Sequence, residues 1–82
     1  MSDPVLVEAR VGRGGRLRPR SFLWREQRYT VASIGRQWID AGETHVLVMA
    51  EGSGTFELAL APDTGAWRLV RSPADFGAQP RV

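Results

Sequence analysis

Few side chains in this sequence could carry chemistry. His45 is the single imidazole, there is neither cysteine nor lysine, and five serines lie scattered without a nucleophile-elbow context. Acid–base or nucleophilic catalysis needs a poised group held by an orienting partner. His45 falls in the apolar run Thr44–Ala50, where it reads as a structural or surface-facing residue rather than a general base. Glu51, Glu57 and Asp63 fall on turns or on the solvent side of a strand, where acids commonly sit. One histidine without cysteine does not make a structural zinc site. Gly12-Arg13-Gly14-Gly15 lacks the Gly-Lys-Ser/Thr ending of a phosphate loop and reads as a hairpin turn. The expectation is a domain that is not an enzyme and holds no cofactor or metal.

Arginine is the remaining signal. All eleven basic residues are arginine, and the net charge is +2. The charge is unevenly spread: Arg10 to Arg36 carries +7, whereas Gln37 to Val82 carries −3. Asymmetry of this kind points to an anionic partner. The cluster Arg13, Arg16, Arg18, Arg20, Arg25, Arg28 and Arg36 is interleaved with Phe22, Trp24 and Tyr29. Guanidinium groups grip phosphates and stack on bases, so nucleic acid, or a protein that handles it, is the expected partner. The competing reading makes these arginines a solvated exterior, pairing with Glu8, Glu43 or Glu57. A second competing reading is a protein–protein adaptor that self-associates and binds no nucleic acid.

Strands must position whatever works here. Val5, Val7, Ala9 and Val11 alternate with Leu6, Glu8 and Arg10, a period of two. The next strand, Leu17 to Trp24, contains Pro19, which removes a ladder N–H and marks an edge or bend. Phe22 and Trp24 mirror Tyr29 and Val31 about the short polar break Arg25-Glu26-Gln27, as in a hairpin with core-facing cross-strand pairs. A long strand runs from about Arg28 to Asp40. Its inward residues change parity, from Tyr29 and Val31 to Ile34 and Trp38, which predicts a bulge near Ser33-Ile34-Gly35. Thr44 to Ala50 is apolar on both faces and should be the most buried strand. Two further strands follow around Phe56, Leu58 and around Trp67, Leu69, separated by the turn Pro62-Asp63-Thr64-Gly65.

The predicted fold is therefore all-β: six antiparallel strands in a meander, closed into a small barrel or roll of SH3-like size. The expected core is Phe22, Trp24, Tyr29, Val31, Trp38, Phe56, Leu58, Trp67 and Leu69. Residues 1–72 form the single domain; 73–82 should be a loose tail, pinned by Phe76 and allowing one helical turn in Ser72–Gly77. An 82-residue chain buries only about 60% of its unfolded surface, so a second copy is a candidate source of extra burial. No apolar run approaches the roughly 18–20 residues that span a bilayer, and the N-terminus lacks an export signal, so no membrane partner is expected and the cytoplasm is the expected location.

The stretch Pro19-Arg20-Ser21-Phe22-Leu23-Trp24, then Arg28-Tyr29-Thr30-Val31 and Trp38, with Glu57-Leu58 and Trp67-Arg68-Leu69 later, resembles an uncharacterised family of small bacterial domains. That family shows a Pro-x-x-Phe-x-Trp, Arg-Tyr-x-Val, Trp pattern. Its members stand alone or at the C-terminal end of Y-family DNA-polymerase-like proteins. The resemblance spans about Val5 to Val70. It implies a DNA-repair or damage-tolerance setting, with no established activity and no functional residue to carry over. The family usually places glycine in the Trp–Tyr hairpin, where this chain has Glu26.

Overall fold

A computed structural model of the chain describes residues 3–76. Six strands follow one another: β1 (Asp3–Val11), β2 (Leu17–Trp24), β3 (Gln27–Asp40), β4 (Glu43–Ala50), β5 (Gly54–Ala61) and β6 (Ala66–Arg71). All neighbours are antiparallel, and β1 also pairs with β6, which closes the barrel. A short 3-10 turn, Arg13–Gly15, links β1 to β2, with Gly14 and Gly15 in the left-handed region that the glycines of this turn supply.

Alternation builds the interior. Val5, Phe22, Val46, Val48, Ala50, Phe56, Leu58 and Leu69 form the buried cluster, and Val7, Trp24, Tyr29, Val31, Ile34 and Trp67 pack against it. Phe22 and Tyr29 are direct register partners, their rings stacked at 5.1 Å, and Phe56 meets both at 5.0 Å. Offset and edge-on ring contacts of this kind add to plain area burial. Trp24 satisfies its indole N–H on Asp3 Oδ2 at 3.0 Å, so the barrel end is capped rather than left with an orphan donor.

β3 bends as its parity change requires, but it slips twice. Register shifts fall between Val31 and Ser33 and again between Ile34 and Gln37. The first slip keeps Ile34 inward, opposite Val48. The second turns Gln37 toward the interior, opposite Val46, and places Trp38 on the outer face with its register partner His45. Trp38 therefore does not belong to the core, contrary to the reading of its even-numbered position: a second inserted residue reverses the face that one bulge would have preserved.

After β6, Pro73–Phe76 forms a single helical turn, α1, against β5 and β6. The Arg71 guanidinium lies 4.2 Å from the centre of the Phe76 ring. Residues 77–82 of the expected tail lie outside the described residues. Among the described residues, no helix is long and apolar enough to cross a membrane.

Candidate functional site

The barrel wall is not continuous. β2 and β3 pair only from Ser21–Thr30 to Trp24–Gln27; beyond Thr30, β3 turns away to pair with β4. The gap is bridged at its far end by Gln37, whose side-chain amide bonds the backbone N–H and C=O of Leu17. Alternate residues of a strand aim their backbone groups at the same edge. Pro19, two residues beyond Leu17, therefore faces the gap with no N–H to offer, and the two strands cannot zip together there.

What results is a cleft of about 510 Å³ lined by Arg10, Arg18, Pro19, Arg20 and the β3 segment Thr30–Ile34. Arg10 and Arg18 are direct register partners across β1 and β2, both exposed. Like charges placed opposite one another destabilise a sheet pair. Arg20 is the extra residue at the bulge that shifts the register between Glu8 and Ala9, and so its side chain joins the same rim. Gly12 lets the Arg18 stem lie close: a β-carbon there would stand 2.9 Å from Arg18 Cδ. Among the described residues, none of these three arginines meets a carboxylate.

The predicted arginine cluster thus divides. Arg18 and Arg20 line the cleft, and Arg13 and Arg16 stand exposed on the adjoining turn. Arg25 is held by Asp3 at 3.2 Å and covers the Trp24 ring. Arg28 donates to Ser21 Oγ, and Arg36 covers Trp38. Arg10 was not among the predicted contacts; its place on the outward parity of β1, facing a second strand of outward arginines, is the signal that finds it.

Two of the three acids expected to pair with this half are taken elsewhere, and the third, Glu8, accepts from Ser21 Oγ at 3.3 Å. Glu43 accepts from Arg68 Nη2 at 2.6 Å, and Glu57 accepts from Arg71 Nε at 2.7 Å. The hydrogen bond from Arg68 lowers the Glu43 pKa and raises that of Arg68. Glu57 is not on an open solvent face, as its alternation predicts: it is 5% exposed. Its second carboxylate oxygen meets His45 Nδ1 at 2.7 Å, diagonally across the buried Ala59, which is small enough to let the pair close over it. Trp38 stacks on the other side of His45, ring centres 5.3 Å apart. His45 is buried and tied down, and among the described residues no group of three or more histidine, cysteine or acidic side chains could hold a metal ion.

No curated protein and no solved structure matches the chain. Residues 1–73, from before β1 to the first residue of α1, match the family described as a domain of unknown function, DUF6504. An arginine-rimmed opening in a six-stranded barrel is thus what this chain presents as a member of the DUF6504 family.

Proposed function

We propose that the domain is a binding module, not an enzyme, and that it takes the phosphate backbone of nucleic acid at the Arg10–Arg18–Arg20 cleft. The observation that carries this reading is the Arg10–Arg18 register pair, two cations held face to face without an acid between them. A bound anion converts that repulsion into a two-sided grip. Arg13 and Arg16 extend the positive rim along the β1–β2 turn. The resemblance to domains found with DNA-polymerase-like proteins supports a repair or damage-tolerance setting in a bacterial cytoplasm. His45, tied to Glu57 and stacked by Trp38, supports the non-catalytic part of the reading.

The test is fluorescence anisotropy with labelled single-stranded and duplex oligonucleotides across a salt series. Binding should weaken linearly with log salt, with a slope of about −0.7 per contacted phosphate on single strands, or roughly −2 for three arginines. The triple variant Arg10→Ala/Arg18→Ala/Arg20→Ala should lose most of that slope. No binding to either oligonucleotide at low ionic strength, or full binding by the triple variant, overturns the proposal; the former outcome favours an adaptor with no nucleic-acid partner.

A further inference from the structure

A second feature stands on the same hairpin but owes nothing to the arginine cleft. Leu6 on β1 and Leu23 on β2 are direct register partners on the outer face, 71% and 36% exposed. An exposed apolar pair in register makes a ridge, and hollows flank it on both sides. One, of about 210 Å³, is bounded by Leu6, Leu23, Glu8 and Arg28; the other, of about 200 Å³, by Leu6, Leu23, Pro4, Arg25 and Glu26. Each hollow carries one acid and one base.

We propose that this ridge and its two hollows form a homodimer interface, with a second copy of the chain as the occupant. Three observations select a second copy over an unlike partner. The face carries both signs, Glu8 and Glu26 beside Arg28 and the Asp3-held Arg25, in a half of the chain that is otherwise strongly basic. A surface with acids and bases on both flanks complements itself under a two-fold rotation, as an isologous contact requires. The ridge has seats of similar volume on either side, so a leucine pair from each copy meets a hollow in the other. Because β1 and β6 pair to close the barrel, neither offers a free strand edge there, and association uses the face of the sheet rather than its rim.

Sedimentation equilibrium of the full chain, up to millimolar protein, tests this. The wild type should reach the mass of two chains. Leu6→Glu should raise the dissociation constant about a hundredfold or more, since each dimer buries two copies of the altered residue. Leu6 is exposed, so at protein concentrations low enough for the wild type to be monomeric the variant should keep the wild-type unfolding midpoint, which separates lost association from lost folding. Ile39→Glu is the control: Ile39 is 75% exposed at the far end of β3 and should leave the dimer intact. A wild type that stays monomeric, a Leu6→Glu dimer of unchanged affinity, or loss of dimer in Ile39→Glu would each overturn the interface. The proposal survives failure of the nucleic-acid reading, because no oligonucleotide enters the measurement.

Discussion

Gln37 stands in for a missing strand partner of Leu17: its Nε2 donates to the Leu17 carbonyl, while its Oε1 accepts the Leu17 N–H at 3.2 Å. A side-chain amide has the same donor and acceptor as a peptide unit, so one glutamine closes a rung that the diverging backbones cannot. The rung ties β3 back to β2 beyond the gap between them, and its removal should be felt in stability. Gln37→Leu leaves both Leu17 groups without their partner and should cost about 1–3 kcal/mol in urea unfolding. Gln37→Glu keeps the acceptor but loses the donor, and should fall between the two.

Arg18 is expected to trade stability against binding. Arg18→Thr removes the like charge opposite Arg10 and supplies a β-branched residue on a strand, so stability should rise by about 0.2–1 kcal/mol. Oligonucleotide affinity should fall in the same variant. Thermal unfolding and anisotropy on one preparation check both signs.

Glu57, Glu51 and Asp63 are alike in sequence character and should respond very differently to alanine. Glu57 is buried and shared by His45 and Arg71, so Glu57→Ala should cost about 2–3 kcal/mol, with the cost moderated because Arg71 remains half exposed to water. Glu51→Ala and Asp63→Ala, at exposed turns, should stay within about 0.5 kcal/mol of the wild type. Chemical denaturation of the three variants settles the ranking.

The Arg25-Glu26 hairpin turn holds both residues in the left-handed region, at φ 52° and 66°. Such backbone costs an L-residue with a side chain roughly 1–2 kcal/mol relative to glycine. Glu26→Gly should therefore stabilise the domain by about 1 kcal/mol, read as a higher denaturation midpoint. The β2–β3 register asks for a tight two-residue loop, a conformation that glycine adopts without that cost.

Acid should weaken the outer face at Glu43. The Arg68 hydrogen bond lowers the Glu43 pKa in the folded state, so its contribution is complete above the ordinary glutamate value of about 4.3 and is lost as pH falls below it. Glu43→Gln should flatten that part of the stability–pH curve relative to the wild type, and it can be followed by urea midpoints across the acid range.

Much of this architecture is legible from alternation alone. The β2–β3 hairpin, the bulge in the middle of β3 and the turn after Ala61 follow from local residue spacing and turn chemistry. The hairpin's register does not, since mirroring the aromatics about Arg25-Glu26-Gln27 sets Trp24 against Tyr29, whereas the two-residue turn pairs Tyr29 with Phe22 and draws Gln27 into the ladder opposite Trp24. Trp38 escapes because parity counts slips modulo two: a second bulge at Ile34–Gln37 leaves no mark in composition. Glu57 escapes for a different reason. Its strand position is outward, but Arg71 and His45, fourteen and twelve residues away, cover it, and α1 packs against its strand. Burial by distant elements is a tertiary fact that local periodicity does not encode. The arginine cleft was half visible, as a run of charge; its position depends on where Pro19 and the turning-away of β3 open the wall.

The ring of strands is shut by its first and last members, through Asp3–Leu69, Pro4–Arg68 and Val5–Trp67. The inner face of the β1–β2 hairpin is covered piecemeal, Phe22 by Tyr29 of β3 and then by Phe56 of β5, and the seam waits for β6. Nearly the whole chain must thus be synthesised before cooperative protection begins, and the loop that closes last spans some sixty residues, a slow and exposed route.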